Sequence, residues 1–488
     1  MTERRAPAGS FRTRRRLRAA AAGVLAAATL VAGCSFAPPH RRPDAPVAAQ
    51  FPGAADAQAG VDAASLGWRD FFSDERLHAL IAQALSANRD LAVAVSRIEE
   101  ARAQFGITRA DQLPGIDAAA DYTAQRALFP LGGTPTAITT RRAGIGVALP
   151  VYELDFWGRL ANLTEAARAA FLAQAQAARA AQVALVGDVA ATWFTLLEAQ
   201  QRIELTRLTV QSRERALRLS EVRERAGVVS GLDAIQARSL LQSARAELAA
   251  LERQRAAARN ALELLVAAPL AVPAQGAALD AQLAGPGLRA GLPSDLLLAR
   301  PDVLGAEERL RAASANIGAA RAAFFPRIVL TGTAGVASTE LGDLFGAGTN
   351  IWSFLPQLRV PLFDAGRLRG QLDLTRARRE TVVAEYERTV QQAFREVADA
   401  LTAQAALAEQ LAALDALETA QRERLRVAER RYEEGLSGFL ELLDAQRELY
   451  TAQQSRVQTQ RLRAANTVAL YRALGGGQVE RSPVGAAR

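Results

Sequence analysis

The sequence predicts a mainly α-helical fold that also carries a membrane β-barrel, closed by joining several copies of the chain. Three observations predict it: an internal duplication at a spacing of 208 residues, two helical stretches too long for an ordinary globular domain, and a pair of strand candidates ahead of each stretch.

The duplication organises everything else. Gly158-Arg159-Leu160 returns as Gly366-Arg367-Leu368, Asp188-Val189-Ala190 as Glu396-Val397-Ala398, Gly227 as Gly435, Leu232-Asp233 as Leu440-Glu441, and Ala261-Leu262 as Ala469-Leu470. Upstream the offset drifts, with Arg109 and Pro114 matching Arg321 and Pro326, and Pro150 matching Pro361. Two units follow, 67–268 and 302–475, separated by an irregular Pro/Gly/Ala-rich segment at 269–301 and trailed by a tail at 476–488.

Each unit opens with a helix that ends near a proline, at Leu113-Pro114 and Phe325-Pro326, because proline pushes its predecessor into extended geometry. A strand pair is expected next, over about 114–155 in the first unit. There Ile145, Val147, Leu149 and Val151 alternate with Gly146, Ala148 and Pro150, the period of a sheet with one apolar face. In the second unit the pair is expected over about 326–363, with Ile328 and Leu330 opening one strand and Trp352 to Phe363 carrying the other. Leu131 to Thr136 and Gly342 to Thr349, rich in Gly, Thr and Pro, read as loops.

Very long helices come next, over 158–226 and 366–434. The first lacks proline and has one internal glycine, Gly187. At about 1.5 Å per residue it extends on the order of 100 Å. Val390, Phe394, Val397 and Leu401 step as coiled-coil seams do, and Leu241, Leu248, Leu251, Ala258, Leu262 and Leu265 fall on a and d positions. Glycine then ends each long helix. Tip turns at 227–231, with Gly227, Ser230 and Gly231, and at 435–438, with Gly435, Ser437 and Gly438, lead into return helices over 232–267 and 439–474.

Residues 1–33 read as a targeting segment. Arg12, Arg14, Arg15, Arg16 and Arg18 precede an apolar run, Ala19 to Val31, too short to span a bilayer. Val31-Ala32-Gly33 ahead of Cys34, the single cysteine of the chain, resembles the lipobox of bacterial lipoproteins, which makes Cys34 the lipidation site and 34–66 a lipid-anchored segment. Ser35, in a place where Asp often retains such proteins at the inner membrane, points to the outer one. The formal charge of +8 lies mostly in this leader. Without it the chain is close to neutral, which leaves no basic footprint for nucleic acid.

After Cys34 no run of eighteen or more uncharged apolar residues occurs, so any membrane crossing falls to the strands. A lone sheet of four strands cannot face hydrocarbon, because each unpaired edge group costs several kcal/mol there. Several copies must therefore join edges, two giving eight strands or three giving twelve. Helices attached to those strands would continue the barrel as a wet tube.

The chain resembles the TolC and OprM family of outer-membrane factors, in its NodT-type lipoprotein branch. Trp68-Arg69-Asp70-Phe71-Phe72-Ser73-Asp74, with Leu77, Leu80 and Asn88-Arg89-Asp90-Leu91, resembles that branch's entry region. More specific are Leu292-Pro293-Ser294-Asp295-Leu296-Leu297, Arg300-Pro301-Asp302-Val303, Ala306-Glu307 and the run Asn316 to Pro326. The resemblance covers about Cys34 to Gly475. It implies a homotrimer with a twelve-stranded outer-membrane barrel, a periplasmic α-helical barrel and an equatorial domain at 269–301. It also implies a passive exit duct for drugs and other small molecules. A periplasmic adaptor (membrane fusion protein) and an inner-membrane pump of the resistance-nodulation-division class are the implied partners, and no cofactor is implied.

By the same resemblance, the hairpin tips form a periplasmic gate and contact the adaptor. Glu441 and Asp444 match constriction carboxylates, three apart and so on one helical face. Asp233 and Tyr432 match residues of a latch between hairpins. Gly227, Ser230, Gly231, Gly435, Ser437 and Gly438 form the adaptor-contact tips. The sequence departs from the pattern at Ser437, where an arginine link lies, and at Leu232, where a polar partner lies. Acidic residues after a turn also favour a helix start through its dipole, which is an alternative role for Asp233, Glu441 and Asp444.

Only His40 and His78 exist, so neither a Ser/His triad nor a multi-histidine metal centre can be assembled, and no phosphate-cradling glycine loop is present. The chain is accordingly not expected to be an enzyme. Rival readings are an export channel for protein or metal-ion efflux, and a non-conducting periplasmic coiled-coil scaffold.

Overall fold

The computed structural model describes residues 35–51, 60–131, 134–228, 230–270, 279, 287–289, 291 and 298–483. Cys34, the leader and most of 269–301 lie outside the described residues. In chain order the elements are α1 (Trp68–Phe71), α2 (Glu75–Ala87), α3 (Arg89–Ala110), β1 (Asp117–Leu131), β2 (Thr134–Leu154), α4 (Arg159–Arg225), α5 (Gly231–Val266), α6 (Pro301–Ala322), β3 (Arg327–Ser338), β4 (Asn350–Arg359), α7 (Arg367–Glu433) and α8 (Phe439–Ala473). The first unit thus opens with three helices in place of the one expected. Asn88 makes the break between α2 and α3, its side chain accepting the Leu91 amide and donating to the Leu265 carbonyl.

Both α4 and α7 are 67 residues long, about 100 Å at 1.5 Å per residue. They start alike. Gly158 and Gly366 take positive φ, 69° and 83°, and the carboxylates of Asp155 and Asp364 accept the amides of Ala161 and Leu368 in the first turn, where helical donors have no partner.

Two compact units divide the chain, and neither is a sequence repeat, since each draws on both. One comprises the chain up to Arg42, Glu99–Leu172 and Glu307–Ala384; the other comprises Pro43–Ile98, Ala173–Ala306 and Glu385–Arg488.

In the first unit the four strands form one antiparallel sheet in the order β1-β2-β3-β4. Leu131 pairs with Thr134, so the loop expected over Leu131 to Thr136 shrinks to two residues. Beside the sheet the N-terminal segment is strapped down. Phe36 stacks on Phe325 at 4.7 Å, and Phe325 on Trp157 at 5.0 Å. Arg321 donates to the Phe36 carbonyl, Ser35 to Asn162, and Glu307 accepts from Arg42 at 2.6 Å beside His40 at 3.1 Å.

The second unit holds the main core. Trp68, Phe71, Leu77 and Ile81 of α1 and α2 meet Trp193, Phe194 and Leu197 of α4, Leu262 and Val266 of α5, Tyr386, Val390 and Val397 of α7, and Tyr471 of α8. Phe71 stacks on Tyr471 at 3.9 Å, and the Tyr471 hydroxyl, its pKa pushed up by burial, donates to the Leu66 carbonyl. Arg300 closes the unit. Its guanidinium, 9% exposed, grips Asp302 through two bonds and also reaches Glu396 and the Ala473 carbonyl.

One 18-residue window of α4 has a mean hydropathy of 1.5 and passes for a membrane span by composition, which corrects the exclusion drawn from uncharged runs. Over half of that window, 56%, is buried within the fold. Its apolar side chains belong to the core just described, and Glu198 nearby pairs with Arg461 at 2.7 Å.

The seams differ in detail from the spacing argument. In α5 the buried residues include Ala237, Leu241, Ala244, Leu251, Ala258, Leu262 and Val266, with Leu248 and Leu265 only half-buried. In α7 the seam is Tyr386, Val390, Ala393, Val397 and Ala400, while Phe394 and Leu401 flank it.

Candidate functional site

The sheet of the first unit has two unlike faces, and the register tells them apart. Side chains alternate across a strand, and directly paired residues share a face. One face collects Tyr122 of β1, Ile145, Val147 and Leu149 of β2, Ala334 and Val336 of β3, and Trp352, Phe354 and Leu358 of β4. The other collects Asp121, Thr123 and Gln125, then Arg142, then Thr331 and Thr333, then Ser353, Gln357 and Arg359, with a few aliphatic residues such as Leu355 among them. Contacts follow the same division: Thr333 bonds Ser353, Arg142 pairs with Asp121 and Arg327 with Glu153, all on the polar face. A bulge between Leu149 and Tyr152 shifts the phase of β2, so Tyr152 and Leu154 continue the apolar face in place of Val151.

Close backbone approach marks the polar face. Gly146 and Gly335 are paired and lie on the polar face, and a Cβ on either would overlap the carbonyl of Ala334 or Ile145 on the facing strand. Only glycine fits at this pair, and glycines so placed permit the kink toward the inside that closing barrels need. From the Leu358 row to the Tyr122 row the apolar face spans ten residues, about 33 Å of strand and about 25 Å of height at the usual tilt, the depth of a barrel's lipid-facing band. The outer edges of β1 and β4 have no strand partner among the described residues.

In the second unit two hairpins meet around Ala237, Phe439, Leu442 and Leu443, with Leu217, Leu240 and Tyr432 packed against them. Their turns are built alike. Gly227 at φ 70° sends its N–H to the Glu224 carbonyl, and Val228 to that of Arg223; Gly435 at φ 74° bonds Tyr432, and Leu436 bonds Arg431. These are left-handed caps that glycine adopts without strain. Ser230 and Gly438 take extended N-cap conformations without a side-chain cap, and Gly231 begins α5. Nothing lies within 4 Å of a Cβ placed on Gly438. The Ser437 hydroxyl is enclosed without a hydrogen-bond partner among the described residues.

Each of the two carboxylates expected at the constriction has an arginine beside it. Glu441 meets Arg431 at 3.2 Å, and Asp444 meets Arg424 at 2.6 Å as well as Arg447. Both lie on one side of α8, toward α7. Tyr432 joins the two hairpins, but through Arg223, whose Nη1 donates to the phenol oxygen at 2.5 Å while the guanidinium sits 4.8 Å from the ring centroid. Asp233 is in the first turn of α5, where its amide bonds the Ser230 carbonyl, and no bond joins its side chain to Tyr432. Arg223 escapes a sequence reading because it is one of several arginines at the end of α4. Around the turns Val228, Leu232, Ile235, Leu436 and Leu440 stand exposed.

Residues 80–268 and 292–476 match the model of the outer membrane efflux protein family. The chain is 44% identical over 457 residues to outer membrane protein OprJ of Pseudomonas aeruginosa, across 93% of this chain and 95% of that protein. It is 42% identical over 464 residues to the antibiotic efflux pump outer membrane protein ArpC of Pseudomonas putida, again across 93% and 95%. Its structure is similar to the open state of the Neisseria gonorrhoeae MtrE outer membrane channel, with a TM-score of 0.84 and 36% identity over 92% of this chain and 100% of that one. With its two-faced sheet and paired hairpins, the chain belongs to the outer membrane efflux protein family and is an outer-membrane channel subunit.

Proposed function

We propose that three copies of the chain close a twelve-stranded barrel in the outer membrane and act as the passive exit duct of a tripartite efflux complex, performing no chemistry themselves. The observation that carries this reading is the sheet: one face suits lipid, the other water, and both edges await strands. An inner-membrane pump, of the proton-driven resistance-nodulation-division class, delivers drugs and other small molecules through a periplasmic adaptor. Cys34 carries the lipid anchor. The tips around Gly227, Ser230, Gly231, Gly435, Ser437 and Gly438 receive the adaptor, and the exposed aliphatic side chains beside them offer it an apolar patch. Asp233, Tyr432, Glu441 and Asp444 belong to the gate, with Arg223 as the partner that links Tyr432 across the hairpins.

The purified full-length chain tests the reading in planar bilayers. A trimeric mass with discrete conductance steps is expected; a non-conducting monomer overturns the duct. Cys34→Ala should abolish incorporation of labelled fatty acid, and persistent labelling would refute the anchor.

A further inference from the structure

Two arginines stand on the wrong face for a channel lining. Arg141 pairs with Ala124, and Arg126 with Thr139, on the same face as Tyr122, Ile145 and Trp352. They are diagonal neighbours across the β1–β2 ladder, a separation of about 7–8 Å between such positions. Both are exposed, and neither has an ion-pair or hydrogen-bond partner among the described residues. Arg142, one residue along but on the water-filled side, does have one in Asp121. Two adjacent cations left without a carboxylate, on a face otherwise built for hydrocarbon, need an anion from outside the chain.

Their height says which. Arg141 lies two residues and Arg126 four residues beyond the row of Tyr122 and Ala143, at the hairpin end away from the helices. At about 3.3 Å per residue and the usual strand tilt, that is about 5–10 Å past the Tyr122 row, at headgroup depth, with only the Leu128–Ala137 and Pro130–Pro135 pairs farther out on this face. The opposite end of the sheet, where the strands meet α3, α4, α6 and α7, is the periplasmic one. The pair therefore faces the outer leaflet, whose characteristic anions are the phosphates of its glycolipid. Arginine suits them, since its planar fork binds phosphate oxygens in pairs.

We propose that Arg126 and Arg141 form a phosphate-binding site on the lipid-facing surface of the barrel, occupied by the phosphorylated glycolipid of the outer leaflet. The site would seat each β1–β2 hairpin at a defined depth and tie the glycolipid to the channel wall. The proposal rests on the barrel reading above, because it requires the apolar face to point outward.

Native mass spectrometry of the full-length oligomer in detergent, titrated with bis-phosphorylated lipid A, tests it. At about 1 kcal/mol for each basic residue near an anionic surface, Arg126→Gln with Arg141→Gln should weaken binding roughly 30-fold. Arg142→Gln should leave binding unchanged. Dephosphorylated lipid A should bind no better to the original chain than to the double variant, and phosphatidylglycerol should bind more weakly than lipid A. Unchanged lipid A affinity in the double variant overturns the site, and so does equal binding of dephosphorylated lipid A. Phosphatidylglycerol binding as tightly as lipid A overturns the assignment to glycolipid. Should the glutamine variant fail to assemble, the single variants Arg126→Gln and Arg141→Gln should each weaken binding about fivefold, and unchanged affinity in both refutes the proposal. Conductance of the same preparations separates the two readings, since a conducting trimer without lipid A binding sinks the site alone.

Discussion

Replacing Tyr432 with phenylalanine removes one oxygen atom from the contact between the hairpins and leaves the rest in place. The ring would still lie under the Arg223 guanidinium and 5.4 Å from Phe439. What disappears is the bond from Arg223 to the hydroxyl. Hydrogen bonds to charged groups are worth about 1.5–3 kcal/mol, and this one is half-exposed, so about 1 kcal/mol per copy is a fair figure. If the contact belongs to the closed state and the three copies open together, that state loses about 3 kcal/mol, roughly 150-fold in the opening equilibrium; independent movement gives about fivefold per copy. Open fraction in planar bilayers reads the difference directly. In cells, entry of a large antibiotic that ordinarily fails to cross the outer membrane should rise with it. The pairing itself is isolated by a double-mutant cycle, because Tyr432→Phe should have no further effect in an Arg223→Met background. An unchanged open fraction, or an effect of equal size in both backgrounds, would refute the link.

Glu441→Ala with Asp444→Ala would strip the carboxylates from Arg431, Arg424 and Arg447 and turn the tip positive. Selectivity should move toward anions, read as the reversal potential in a salt gradient, while stability changes by under about 1 kcal/mol per exposed pair; a fixed potential would place both residues away from the constriction. Gly146→Val would drive a side chain into the facing Ala334 carbonyl, so the oligomer that resists dissociation in detergent gels should vanish, and its survival would mean that closure needs no bend there. Burial raises the Glu307 pKa, but hydrogen bonds from His40 and Arg42 outweigh it and hold the carboxyl below its ordinary value. A depressed folded pKa stabilises the strap above the unfolded carboxylate value, and that stabilisation is lost as pH falls through the folded one. Limited proteolysis of the segment around Phe36 should thus increase only in the acid range, whereas Glu307→Gln should be cut at neutral pH too; pH-independent cutting of the original chain would contradict this.

The fold class was legible because its signals are long and local. Nearly seventy residues without proline, a glycine at each turn and a period of two ahead of each long helix leave few alternatives. Side-chain burial was read less well, and for one reason. Heptad spacing selected Phe394, Leu401, Leu248 and Leu265, whereas the buried line runs through Ala393, Ala400, Ala244 and Val266. The buried line interleaves these small residues with Val390, Val397, Leu241 and Leu251, so a strict heptad count drifts off it. The phase of β2 was lost after Leu149 because a bulge leaves no mark in an alternating pattern. Contacts between distant segments, such as Arg42 with Glu307 or Arg223 with Tyr432, have no local signature at all.

The duplication explains why the tips share a backbone yet differ in chemistry. Arg223 and Arg431 occupy equivalent places, and both carbonyls accept the amide that closes the turn. The turn needs only that carbonyl and a glycine at positive φ, so the side chains are free to diverge. Arg431 stays within its hairpin and meets Glu441, whose counterpart is Asp233. Arg223 instead crosses to Tyr432, whose counterpart is Glu224. Arg223 has an acid one residue away in Glu224, yet its guanidinium lies over the ring and hydroxyl of the other hairpin. Substituting tyrosine in one copy leaves Arg223 an aromatic ring and a hydroxyl on the other hairpin, a contact weak enough to be broken and specific enough to hold. A duplicated scaffold can acquire a contact between hairpins in this way without altering either turn, because the turn geometry lies in the main chain and the contact in the side chains.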